Sequence, residues 1–150
     1  MKHHIRSIEP KDLEQLVKLC AVHAQYEAAE YQFEGKEEAL RQALFMPTST
    51  LKCLVVEQEK ELTGYATFII QFSTWDACHY LYMDCLFLKE GHRGQGIGKQ
   101  LLDIIKLEAV KLGCSQIQWQ TPSSNIKAIK FYVREGATSK EKVRFFLATN

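Results

Sequence analysis

The stretch Tyr80–Leu112, YLYMDCLFLKEGHRGQGIGKQLLDIIKLEAVKL, constrains this chain more than any other. It reads as an apolar strand, a glycine-punctuated loop and an amphipathic helix, in that order. The loop is His92-Arg93-Gly94-Gln95-Gly96-Ile97-Gly98-Lys99. Glycines at alternate positions let successive backbone N–H groups turn toward one point without side-chain interference. Where such a loop opens a helix, those donors and the helix dipole make a site for an anion, above all a phosphate.

Two familiar phosphate motifs fail on these residues. A P-loop needs Gly-Lys-Ser/Thr after its fourth spacer residue, and Gly96 is followed by Ile97 and Gly98. The dinucleotide fingerprint needs a third glycine where Lys99 stands, and an acidic residue at the end of the next strand, where Trp119 and Gln120 stand.

The flanking pattern gives the architecture. A short strand is expected over His4–Ile8, and Pro10 sits where a helix can begin. Leu13, Leu16, Val17, Cys20, Ala21 and Ala24 form a helical stripe to about Glu27. Gly35 and Lys36–Leu40 open a shorter helix that ends before Pro47. Strands follow over Leu51–Glu57, Leu62–Phe72 and Cys78–Leu88, with Gln58–Glu61 as a hairpin turn, which implies an antiparallel meander. The helix after the loop stops at Gly113. Ser115–Gln120 reads as a strand, Asn125–Arg134 as a helix and Val143–Ala148 as a last strand. The order predicts a single α/β domain over residues 1–150 with a mixed sheet.

A formal net charge of +1 gives no bulk attraction for nucleic acid or an acidic membrane, so a bound anion must be held by local geometry. No apolar run approaches a membrane span, and no secretory h-region follows Met1–His4. The five cysteines, Cys20, Cys53, Cys78, Cys85 and Cys114, are odd in number and never in CxxC spacing. That pattern predicts buried, reduced thiols and a cytoplasmic location, and no metal site is expected.

The loop read from Arg93 as Arg-x-x-Gly-x-Gly resembles the acetyl-coenzyme A loop of the GCN5-related N-acetyltransferase (GNAT) superfamily. The apolar strand before it agrees. So do Asn125-Ile126-Lys127-Ala128-Ile129-Lys130-Phe131-Tyr132, which is similar to the family's N-x-x-A-x-x-F-Y, and the Gly136-Ala137 that follows. The resemblance implies a GNAT fold, with a splayed strand before the loop and helices on both faces of the sheet. It also implies acetyl-CoA as acetyl donor, transfer to a primary amine in a ternary complex, and a homodimer. It places the pyrophosphate on Arg93, Gly94, Gln95, Gly96, Ile97, Gly98 and Lys99. Leu86, Phe87 and Leu88 would lie along the pantetheine, and Asn125, Lys127, Ala128 and Tyr132 would also contact the cofactor.

Acetyl transfer from a thioester to an amine needs a neutral amine, donors for the developing oxyanion and a proton for the departing thiolate. Tyr132 is the expected acid, because an ordinary phenol pKa of about 10 suits protonating a thiolate. Asp84 is the expected partner of the amine. On an unbroken strand Tyr80, Tyr82, Asp84, Leu86 and Leu88 share one face, with Cys85 on the other. An unpaired carboxylate among apolar neighbours is costly and calls for a role.

Within the superfamily the chain is most similar to the diamine, polyamine and thialysine acetyltransferases. That likeness implies substrate contacts from Tyr26, Glu27, Asp84, Gln118, Trp119, Gln120 and Glu141. Ser124 and Cys85 depart from that group, where tryptophan and an acidic residue are usual. A protein, peptide or aminoglycoside acetyltransferase, and a non-catalytic coenzyme A sensor, are the alternative readings.

Overall fold

The computed structural model describes residues 2–150. The chain forms two compact units, one ending at Trp119 and the other running Gln120–Asn150.

The first unit holds the whole sheet. Its order is β1 (His4–Ser7), α1 (Leu13–Tyr26), α2 (Lys36–Phe45), β2 (Lys52–Gln58), β3 (Glu61–Ser73), β4 (Cys78–Leu88), α3 (Ile97–Lys111) and β5 (Ile117–Gln118). The strands lie in the order β1-β2-β3-β4-β5. β2, β3 and β4 form the antiparallel meander expected of their short connections, β1 pairs antiparallel with β2 after the α1–α2 excursion, and β5 joins β4 in parallel. The sheet is therefore mixed.

Pro10 begins a single 3-10 turn, Pro10–Asp12, that feeds α1. There Arg6 reaches back from β1, with Nη1 and Nη2 donating to Asp12 at 2.7 and 2.9 Å. The Glu9 N–H donates to the same carboxylate at 2.8 Å, and Arg6 also reaches Glu57 at 3.2 Å. These bonds satisfy a buried carboxylate and tie β1, the start of α1 and β2 together.

Helices cover both faces. Leu16 and Leu19 of α1 pack with Cys53, Val55, Tyr65 and Phe87, and Leu40 and Leu44 of α2 extend that layer. On α3, Ile97, Leu101 and Ile105 are buried. Ile104 of the same helix lines a cavity with Leu54 and Phe68, which alternate to the opposite face of the sheet.

The strand leading to the glycine loop is not continuous. Thr67 pairs with Cys85 and Phe68 with Met83, so Asp84 is an extra residue with no partner in β3. Such a bulge shifts the alternation by one. Leu86 and Leu88 consequently share their face with Met83 and Leu81, not with Tyr80 and Tyr82. Cys85 and Phe87 stand on the α1 side, the side that Asp84 also serves, since the Cys85 thiol lies 3.7 Å from Asp84 Oδ2. The face assignment expected for an unbroken strand is thereby corrected.

β5 is shorter than the expected Ser115–Gln120 and accompanies β4 only at Leu81 and Tyr82. It does not continue beside Met83–Leu88, which is the splay expected ahead of the loop.

In the second unit α4 (Ile126–Arg134) forms as expected. Asn125 is its N-cap, with Oδ1 accepting from the Ala128 N–H at 3.3 Å. The strand expected over Val143–Ala148 is absent, and residues 137–150 have no regular structure. Val143, Phe145, Phe146 and Leu147 are 77–92% exposed. The residues have strand character, but a strand exists only beside another, and none takes this segment up.

The cysteines are only partly as expected. Cys53 is buried, whereas Cys20, Cys78, Cys85 and Cys114 are half-buried, and all five are free thiols.

Candidate active site

The glycine loop supplies the best-built element of the first unit. Gly94 and Gly96 take φ of +74° and +81°, a region closed to most side chains. A Cβ at either position would meet nothing within 4 Å, so these backbones are open to a ligand and not packed against a neighbour. Gly96 is the N-cap of α3 and no side chain caps the helix. The Gln100 N–H closes on the Gly96 carbonyl at 3.1 Å. The N–H groups of Ile97, Gly98 and Lys99 precede that first helical bond and point along the positive end of the helix. No acidic residue occupies the first turn. This is a donor set that suits a diphosphate.

Side chains brace the loop from within. Gln95 Nε2 donates to the Gly91 carbonyl at 3.0 Å. Arg93 Nε donates to the Leu88 carbonyl at 2.8 Å, and its guanidinium lies over the Tyr26 and Phe87 rings. The Arg93 charge is thus turned toward α1 and the end of β4. The Lys99 ammonium pairs with Asp103 at 2.8 Å. The donors this loop offers to an anion are backbone groups, with these two cations engaged beside them.

Leu86, Phe87 and Leu88 are held by β3 on one edge, through pairing with Ala66, Tyr65 and Gly64. Their approach to β3 is close. A Cβ on Gly64 would stand 2.5 Å from Leu88 Cδ2 and 2.8 Å from the Phe87 carbonyl oxygen.

Asp84, on the bulge, is exposed rather than buried among apolar neighbours. Its carboxylate faces α1, where Cys20 and His23 feel its charge. Burial, with the Asp84 carboxylate beside it, pushes the Cys85 thiol up to about 11. A thiol so protonated near neutral pH is no nucleophile.

Tyr26 ends α1 and Glu27 is its C-cap, both exposed, and with Asp84 and Arg93 they gather around His23 and Phe87. His23 was not singled out by the sequence reading. Its Nε2 is 2.5 Å from Glu27 Oε2, and its Nδ1 is 2.7 Å from the Tyr65 hydroxyl. The i, i+4 spacing of His23 and Glu27 on one helix face was the available signal.

Gln118 is exposed at the end of β5, with Nε2 donating to Gln116 at 2.6 Å, and Trp119 follows it, half-buried. In the second unit Gln120, Lys127 and Glu141 are exposed, while Asn125, Ala128 and Tyr132 are half-buried. Tyr132 packs its ring 5.3 Å from that of Phe131. Asn125 has a structural duty as the cap of α4, which explains its place ahead of the alanine.

A cavity of 670 Å³ lined by Ile5, Leu44, Met46, Leu54, Phe68 and Ile104 lies elsewhere, and none of the candidate residues borders it. Among the described residues no group of His, Cys, Asp and Glu is arranged to hold a metal ion, and no helix is long and apolar enough to cross a membrane.

Residues 14–137 match the family described as "Acetyltransferase (GNAT) family". The chain belongs to the GNAT acetyltransferase family. A thialysine N-epsilon-acetyltransferase of Bos taurus is 30% identical over 141 residues, covering 89% of this chain and 82% of that one. Among solved structures, an integron cassette protein from the mobile metagenome of V. cholerae is 28% identical. It superposes with a TM-score of 0.75, over 97% of this chain and 93% of that one. The aminoglycoside N-acetyltransferase AAC(6')-Iy in complex with CoA shares the fold, with a TM-score of 0.81 over 99% of this chain and 96% of that one, at 18% identity. This GNAT protein is accordingly an N-acetyltransferase, and the GNAT family uses acetyl-CoA.

Proposed function

We propose that this GNAT protein moves an acetyl group from acetyl-CoA to a primary amine of a small molecule, a diamine, polyamine or lysine analogue, by direct transfer in a ternary complex. The observation that carries the cofactor is the open loop at Gly94 and Gly96, whose backbone donors stand at the N-terminus of α3. The similarity to a thialysine acetyltransferase supports the acceptor class.

Acetyl-CoA supplies the acetyl group as a thioester. The loop from Arg93 to Lys99 holds the pyrophosphate through main-chain N–H groups. The β4 edge at Leu86–Leu88, which β5 leaves behind after Tyr82, is the part of the sheet that can offer backbone to a pantetheine. Asp84 and Glu27 present carboxylates to an ammonium, and Asp84 is the proposed acceptor of its proton, directly or through water. The protonated state of Cys85 favours direct transfer over an acyl-cysteine. Tyr132 holds at its phenol oxygen a proton suited to a thiolate. Asn125, Lys127 and Ala128 complete the proposed cofactor set. Tyr26, Gln118, Trp119, Gln120 and Glu141 complete the proposed substrate set.

The same proposal takes residues 1–150 as one acetyltransferase domain, supported by a family match that runs from residue 14 to residue 137 across both units. It also includes a homodimer, supported by the exposed apolar run Val143–Leu147 that has no strand beside it. A cytoplasmic location is supported by the odd set of free thiols.

A thiol-release assay with acetyl-CoA tests the activity across thialysine, ornithine, polyamines, aminoglycosides and peptides. Release with thialysine or a diamine is the expected result. Coenzyme A binding without release from any amine overturns the enzymatic reading in favour of a sensor. Light scattering on the purified protein decides the dimer.

A further inference from the structure

His23 occupies a position on α1 where packing alone would call for an apolar residue. Its ring is stacked on Phe87, with centroids 4.6 Å apart and planes 16° from parallel. Both nitrogens are nevertheless engaged, Nδ1 with the Tyr65 hydroxyl at 2.7 Å and Nε2 with Glu27 Oε2 at 2.5 Å. An ionised carboxylate only accepts, so Nε2 carries a hydrogen and donates it to Glu27. In the neutral ring Nδ1 is then an acceptor, and the Tyr65 O–H must donate to it. Burial pushes the Tyr65 phenol up, which keeps that donor protonated. The result is a directed chain running from the buried sheet, Tyr65 to His23 to Glu27, ending on an exposed carboxylate at the end of α1.

We propose that His23 is a positioning residue for the acceptor amine: bridging Tyr65 and Glu27, its neutral ring fixes one carboxylate oxygen of Glu27 and leaves the other free for the substrate's ammonium. The inference rests on the proposed transfer to an amine. It adds to that reading a residue that touches neither substrate nor cofactor but sets where the anchor points.

The arrangement also makes the anchor sensitive to pH. The groups facing His23 are Glu27 on its own helix, Tyr65 on β3, Asp84 on β4 and Arg93 in the loop. Burial lowers the imidazole below its ordinary value first of all, and Arg93 adds to this, while Glu27 and Asp84 pull the other way. The ring is therefore neutral at physiological pH. Below its lowered value it becomes an imidazolium beside Glu27, where it competes with the substrate's own positive charge. Amine binding weakens on that acid side.

Two substitutions separate this role from packing. His23→Leu keeps an apolar contact with Phe87 and removes both hydrogen bonds. His23→Gln can still donate to Glu27 but cannot titrate. With the amine that the panel identifies, His23→Leu is expected to raise the amine KM about tenfold, equivalent to about 1.4 kcal/mol, with the acetyl-CoA KM unchanged. His23→Gln is expected to restore most of the amine KM and to remove its rise at acid pH, whereas the acid loss of kcat that belongs to Asp84 stays. An unchanged amine KM in His23→Leu overturns the proposal, as does an amine KM that still rises at acid pH in His23→Gln. If the wild-type protein acetylates no amine, the proposed function fails on its own. Calorimetric binding of 1,4-diaminobutane to wild-type, His23→Leu and His23→Gln protein then decides the role of His23 by the same order of affinities. No binding to the wild-type protein, or equal binding to all, overturns it.

Discussion

The guanidinium of Arg93 lies 4.3 Å from the centroid of the Tyr26 ring. This joins the glycine loop to the end of α1, the two segments proposed to hold cofactor and amine. The same side chain bonds the Leu88 carbonyl through Nε. Arg93→Lys keeps the charge but loses the flat stacking surface and the fixed donor. The stack and the bond together are worth about 2 kcal/mol. We expect Arg93→Lys to lower the melting temperature and to raise KM for both acetyl-CoA and amine. A side chain acting only as a phosphate counter-ion would instead be replaced well by lysine and would affect the cofactor alone. Steady-state kinetics with each substrate varied distinguish the two.

Asp84→Asn should cut kcat/KM for the amine by about two orders of magnitude, within the range for loss of a proton acceptor. Because Asp84 is exposed and outside the β3–β4 ladder, the melting temperature should hardly move. Tyr132→Phe should reduce kcat with little change in amine KM. Both are read from thiol release and thermal unfolding of the same preparations.

Gly64→Ala tests how tightly the strand before the loop is seated. The added methyl has no room between the Leu88 side chain and the Phe87 carbonyl. Overpacking of this kind costs about 1–3 kcal/mol. Chemical denaturation should show that loss. Since the displaced segment is Phe87–Leu88, the acetyl-CoA KM should rise in protein that remains folded.

The turn between β2 and β3 is strained in a way that can be relieved. Glu59 and Lys60 both take positive φ, 53° and 67°, in a two-residue hairpin that favours Asn-Gly. Glu59→Asn with Lys60→Gly should stabilise the protein by about 1 kcal/mol and leave kinetics unchanged, because the turn borders none of the proposed site. A higher melting temperature at constant kcat is the check.

Acid should act through Arg6 and Asp12. The Arg6 hydrogen bonds hold the Asp12 carboxyl below its ordinary value, against the opposing effect of burial. A lowered folded value means the stabilisation is complete above the unfolded value of about 4 and is lost as pH falls through the folded one. Arg6→Met leaves a buried carboxylate without its partner, at a cost of roughly 3 kcal/mol near neutral pH. In that variant the Glu9 N–H and Lys11 still oppose burial at the carboxyl, so the loss of stability toward acid should be much shallower than in the wild-type protein. Urea denaturation from neutral to acid pH reads both slopes.

Most of the fold was legible because its signals are local. The stripe from Leu13 to Ala24, the turn at Gln58–Glu61 and the glycines after β4 each specify structure within a few residues. What was not legible depends on neighbours. The bulge at Asp84 leaves no mark on a stretch whose residues suit a strand throughout, so the alternation ran on in the wrong phase past it. Val143–Ala148 has the residues of a strand, yet pairing is a property of two segments. His23 falls outside the stripe that marks the helix, and its role shows only when Tyr65 and Glu27 are seen on either side of its ring. The phosphate loop was readable from its glycines, but the inward turn of Arg93 was not, since it is set by the distant Tyr26.

The bulge at Asp84 also fixes how this chain can tolerate change in length. Upstream of it the odd-numbered residues of β4 face α3, and downstream the even-numbered ones do. Deleting Asp84 would leave each half of the strand in its present register with β3 and would turn a dislocated ladder into a regular one. The carboxylate would go, but the core on either side would survive. Deleting any neighbour within β4 would instead exchange inward and outward residues along one half. Strand length at this point is therefore a free variable for the fold and a fixed one for the chemistry.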